Sequence, residues 1–190
     1  MKNKASNNIG VLSLEPRIRK PSPASLYLKG SLHLAAAIMA MILLISGAAI
    51  YLSQPVLVIY SQDSGEQHLV VPVHADDRLE YHWIHSFEHI PWNERYIIQK
   101  DLTLRLTRIE VAGFGAGIPE NKGKTEVRNG MVIMSELNEA FDNISWIHSN
   151  TALSSISLNN HIIAAGSDLP HHQPVRLEII RRLNAWLRNH

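Results

Sequence analysis

From Leu32 to Leu52 the chain reads LHLAAAIMAMILLISGAAIYL, 21 residues without Asp, Glu, Lys, Arg or Pro. At about 1.5 Å per residue, a helix over this run reaches roughly 31 Å, the thickness of a bilayer's hydrocarbon core. A helix apolar on all sides needs either lipid or a large protein around it. The run therefore predicts a single transmembrane anchor at 30–53, with the lipid bilayer as its partner from Leu32 to Leu52. Pro55, which lacks a donor N–H, ends the helix. A cleaved signal peptide is the competing reading. Signal h-regions are shorter, about 7–15 residues, and their leading segments are short. Here 31 residues precede the run, although Ser46-Gly47-Ala48-Ala49 offers small residues at a cleavage position.

The formal charge of +1 hides an asymmetry. Lys2, Lys4, Arg17, Arg19, Lys20 and Lys29 precede the run against Glu15 alone, whereas 12 basic and 16 acidic residues follow from Ser53 onward. Positive flanks stay in the cytoplasm, which predicts a single-pass protein with its N-terminus cytoplasmic and its C-terminal domain outside. A net-negative domain without a basic run argues against nucleic acid. The chain has no cysteine, so disulfides, thiolate metal sites and cysteine nucleophiles are excluded. Residues 1–25, rich in Asn, Ser, Lys and Pro, read as a disordered cytoplasmic tail.

After Val56 the apolar residues alternate. Val56 to Tyr60 and His68 to Val73 flank Asp63-Ser64-Gly65, which predicts a hairpin. Leu79, Tyr81, Trp83 and His85 share one parity, and Trp92, Glu94, Tyr96 and Ile98 share another. Leu102, Leu104 and Leu106 continue the pattern before it slips to Ile109 and Val111, which predicts a bulge near Thr107-Arg108. Asn129-Gly130 is a strong type I′ hairpin signal, and Asn159-Asn160 a weaker one. Short strands at regular spacing predict a mainly β, antiparallel sandwich or barrel-like domain over 56–182. The last segment suits a strand to about Arg181 and then a short helical tail at 183–190. Arg181, Arg182 and Arg188 beside Trp186 and Leu187 would either touch lipid or form a solvated helix face.

The densest polar constellation runs from His85 through Ser86, Glu88 and Pro91 to Glu94. A hairpin register pairing His85 with Glu94 sets Trp83 against Tyr96 and Tyr81 against Ile98. His85 and Glu94 then sit on a mostly apolar face, where polar groups need partners, so a mutual hydrogen bond is expected. That pair either fixes the hairpin or lines a pocket. A hydrolytic triad of His85, Ser86 and Glu94 is the enzymatic alternative. Adjacent strand residues point to opposite faces, which counts against it. A metal or pH sensor would need His82, His85, His89, His171 and His172 to converge, and their spacing lacks a helical ligand pair. No metal or cofactor is expected. Trp-Ile-His-Ser occurs twice, at 83–86 and 146–149, without matching surroundings, so it reads as coincidence. In Gly113-Phe114-Gly115-Ala116-Gly117-Ile118-Pro119 the glycines open onto more loop rather than a helix N-terminus, so nucleotide binding is not indicated. Gly113, Phe114, Gly115, Gly117 and Pro119 are instead candidates for a binding rim.

These two motifs, His85-Ser86 with Pro91 and Glu94, then Phe114-Gly115-Ala116-Gly117-Ile118-Pro119, occur in an order that resembles the bacterial family domain of unknown function 1850. The resemblance covers roughly 56–182. It implies an extracytoplasmic β-rich domain anchored in the bacterial inner membrane. Similar proteins are commonly encoded beside tripartite ATP-independent periplasmic transporters, which implies a transport-accessory role with transporter subunits or a solute-binding protein as partners. The expectation is a non-enzymatic, periplasmic interaction module. Its contact surface would be built from His85, Ser86, Glu88, Glu94 and the 113–119 loop.

Overall fold

The computed structural model describes residues 23–86, 88–113 and 122–188. The tail expected at 1–25 therefore falls mostly outside the described residues, as do Phe114, Gly115, Gly117 and Pro119 of the glycine loop. The chain divides between Ser46 and Gly47 into two compact units. Helix α1 (Pro23–Ser53) includes the 22-residue stretch Leu32–Ser53, which is long and apolar enough to cross a membrane and is not buried against protein.

The second unit is a sandwich-like domain of two antiparallel sheets. Its strands are β1 (Pro55–Ser61), β2 (Gln67–Pro72), β3 (Arg78–Ile84), β4 (Pro91–Ile98), β5 (Leu104–Val111), β6 (Lys124–Arg128), β7 (Met131–Ser135), β8 (Glu139–Phe141), β9 (Asn143–Ile147), β10 (Leu153–Leu158), β11 (His161–Ala165) and β12 (Pro174–Arg181). The smaller sheet has the order β2-β1-β12-β9, and the larger β11-β10-β3-β4-β5-β7-β6, with β8 also pairing β5. The main core lies between them and includes Leu57, Ile59, Tyr81, Leu104, Ile109, Met134, Ile156 and Leu177.

Strand β1 is apolar from Val56 to Tyr60 because it is buried on both faces. Leu57 and Ile59 enter the main core, while Val56, Val58 and Tyr60 pack against Ala185 of helix α2 (Arg182–Arg188). The arginines of this end are engaged within the domain. Arg181 donates to the Ser53 carbonyl at 2.8 Å, and Arg182 lies 4.4 Å over the Tyr51 ring while donating to its hydroxyl. Arg188 covers the Tyr60 ring and pairs with Glu178.

The phase slip in β5 is a bulge. Arg95 pairs with Arg108 and Tyr96 with Leu106, leaving Thr107 unopposed. The bulge also marks where β5 changes partner. Ile109 and Val111 pair with β7, Leu104 and Leu106 with β8, and the Thr107 carbonyl accepts Leu137 N–H at 3.3 Å. Asn129 and Gly130 both have positive φ, as a type I′ turn demands, and so do Asn159 and Asn160.

Candidate functional site

The β3–β4 hairpin positions the site. Its register pairs Tyr81 with Glu94, Trp83 with Trp92 and Ile84 with Pro91. That keeps every residue on its expected face but moves each partner four residues from the expected pairing. His85 therefore does not meet Glu94 across the ladder. The reason is the turn. His85 N–H donates to the Ile90 carbonyl and His89 N–H to the His85 carbonyl, with His89 at φ 55°. The strands thus close over a tight four-residue loop instead of a longer one.

His85 serves this turn directly. Its Nδ1 accepts the Glu88 backbone N–H at 3.1 Å, which leaves the ring proton on Nε2. Its ring stacks on Trp92 at 5.7 Å and 13°. Ser86 and Glu88 are exposed on the loop. Among the described residues no hydrogen bond joins Ser86 to a histidine. Gly113 sits against the base of the hairpin. Ala112 N–H donates to the Pro91 carbonyl, and a Cβ at Gly113 would lie 3.0 Å from Ile90 Cδ1.

At this end of the sandwich a cleft of about 290 Å³ opens between Trp83, Ile84, His85, Ser86, Trp92, Glu94 and Ala152. Residues 92, 94 and 96 share the inward face of β4, so an indole and a phenol bracket the Glu94 carboxylate. Trp92 Nε1–H donates to Oε1 at 3.1 Å, and Tyr96 O–H to Oε2 at 3.0 Å. No cation stands within ion-pair distance of Glu94 among the described residues. Burial raises its pKa, opposed in part by the hydrogen bonds from Tyr96, Trp92 and Trp83. Burial and the neighbouring Glu94 charge likewise push the Tyr96 hydroxyl up.

Behind the cleft lies an aromatic cluster that joins the sheets. Tyr81 stacks on Trp83 at 5.3 Å, and Trp146 of β9 meets both edge-on, at 5.7 and 5.9 Å. The two Trp-Ile-His-Ser strings thus bring their tryptophans together. The second histidine, His148, is fully buried. Its Nδ1 accepts Trp146 Nε1–H, and its Nε2 lies 2.8 Å from the Gly166 carbonyl.

A second depression, about 190 Å³, lies on the outer face of the larger sheet. Glu94 borders it too, and its other charges pair with one another. Arg95 binds Glu80 at 2.7 Å and Arg108 binds Glu110, while His82 contacts Asn93 and Ser157. The histidines do not converge: His82 is on this outer face, and His171 stacks on His172 in the loop before β12. Among the described residues no three His, Asp or Glu side chains are grouped to hold a metal ion.

The raised Glu94 pKa makes a stability prediction. The folded chain holds this proton to higher pH than the unfolded chain. Stability falls as pH rises from the ordinary glutamate value of 4.5 through the raised one. Glu94→Gln is expected to remove that slope and to be relatively more stable above the window than below it. Urea unfolding of both proteins over about pH 4–8 checks this; parallel curves would contradict it.

No curated protein and no solved structure matches the chain. Residues 79–164 carry every residue of the cleft, and this segment matches the family model described as Domain of unknown function (DUF1850).

Proposed function

We propose that the chain is a membrane-anchored accessory module that binds a ligand or partner side chain in the Glu94 cleft and serves a solute transporter. The observation that carries this reading is the carboxylate held between Trp92 and Tyr96 at an open cleft, without a counter-charge among the described residues. Burying an unpaired carboxylate costs several kcal/mol by order of magnitude, and a fold seldom keeps such a group where an apolar residue would pack. The apolar helix supports a bilayer anchor, and its basic N-terminal flank supports a periplasmic position for the domain. The transporter link rests on the family resemblance. A non-catalytic role is supported by His85, whose Nδ1 caps its own turn instead of activating Ser86.

The test is recovery of partners from membranes. The full chain, crosslinked in cells and extracted in mild detergent, is expected to carry transporter subunits or their solute-binding protein. Glu94→Gln and Trp92→Ala are expected to lose most of that material at unchanged expression. Recovery of no transport component, or equal recovery with both variants, would count against the proposal.

A further inference from the structure

Resting on the reading of the cleft as a binding site, we infer that its ligand carries an organic ammonium group. Three observations select this chemistry. Among the described residues Glu94 supplies the one carboxylate of the cleft, oriented by Trp92 and Tyr96, and with Trp83 as a third donor it still keeps a lone-pair site for a further contact. The walls include the indoles of Trp83 and Trp92, each with one face already covered, by Tyr81 and by His85, and indole is the ring that attracts cations most strongly. No protein cation fills the place opposite the carboxylate among the described residues.

Other ligand classes fit less well. An anion meets the Glu94 charge, and among the described residues the cleft offers it no Lys or Arg, only the His85 imidazole. Magnesium or calcium requires several oxygen ligands, and one carboxylate among aromatic rings does not provide them. An alkylammonium group is weakly hydrated, apolar on its surface and cationic, so it matches both the carboxylate and the rings. The cleft of about 290 Å³ is large enough for a group of this size. Quaternary solutes and primary amines, lysine-like ones included, share this chemistry.

The experiment uses the full chain in nanodiscs of phosphatidylglycerol, a lipid without an ammonium group. Tetramethylammonium, butylammonium, butyrate and the neutral tert-butanol are titrated separately, with tryptophan emission and saturation-transfer NMR as readouts. At least one ammonium probe is expected to bind saturably, about tenfold or more tighter than tert-butanol, and Glu94→Gln is expected to remove that difference. Preference for tetramethylammonium identifies a quaternary group, and preference for butylammonium a primary amine. Binding of tert-butanol or butyrate as tight as either ammonium would overturn the ammonium assignment while leaving the cleft a binding site. No saturable binding of either ammonium, or binding unchanged in Glu94→Gln, would overturn it as well. Loss of partner recovery is scored in the separate crosslinking experiment, so the two proposals fail independently.

Discussion

Gly166→Ala is expected to destabilise the domain by about 3–5 kcal/mol, enough to leave much of the chain unfolded at ambient temperature. Gly166 is buried at the start of a short 3-10 turn, Gly166–Asp168, beside the start of β10. A Cβ there would lie 1.9 Å from the Leu153 carbonyl oxygen and 3.1 Å from its carbon. Both atoms are backbone, so no rotamer change relieves the overlap, and the turn or the strand must move. Movement of the turn also pulls the Gly166 carbonyl away from the buried His148 Nε2, which then keeps only its 3.0 Å contact with Asn150 Oδ1. Gly65→Ala is the matched control. Gly65 has φ +74° but open space around its missing Cβ, so the expected cost is about 1 kcal/mol of left-handed backbone strain. Urea unfolding of the detergent-solubilised full chain, followed by tryptophan emission, measures both. Equal costs would mean that the close approach at Leu153 does not exist.

Much of this fold was legible because its signals are local. The charge-free run gave the long apolar helix, the parity of Leu79, Tyr81 and Trp83 gave the buried face, and the slip between Leu106 and Ile109 gave the bulge at Thr107. Asn129-Gly130 named its own turn. The β3–β4 register was not legible. Parity is invariant to a shift of two or four residues, so it fixes faces but not partners. The deciding interaction, a histidine ring accepting a backbone N–H three residues on, carries no strong sequence signal. The expected register also gave Glu94 the wrong partner: its donors are Trp92 and Tyr96, at i±2 on its own strand face, and not His85 across the ladder. The meeting of Trp83 with Trp146 depends on which strands join which sheet, a non-local choice that neither string announces.

Tyr81→Ala is expected to cost about 3–5 kcal/mol, whereas Tyr81→Phe is expected to cost nothing or to stabilise by about 1 kcal/mol. Tyr81 is fully buried where the two sheets and the cleft wall meet. Its ring stacks on Trp83 and meets Tyr96 and Trp146 edge-on, at 6.0 and 5.7 Å, so truncation leaves a cavity and loosens three aromatic neighbours together. The hydroxyl is a different matter. It has no hydrogen-bond partner among the described residues, and burial and then the neighbouring Tyr96 and Glu94 raise its pKa far above the ordinary tyrosine value. A buried donor without a partner is a cost, and phenylalanine removes it while keeping the ring. The pair of variants also separates scaffold from site. Tyr81→Phe should keep ammonium binding because Glu94, Trp83 and Trp92 stay in place, and Tyr81→Ala should lose it with the wall that Trp83 forms. Thermal unfolding read alongside the probe titrations checks both. If Tyr81→Phe lost stability or binding, the hydroxyl would have to be a working part of the cleft, hydrogen-bonded there to the carboxylate or to what the carboxylate holds.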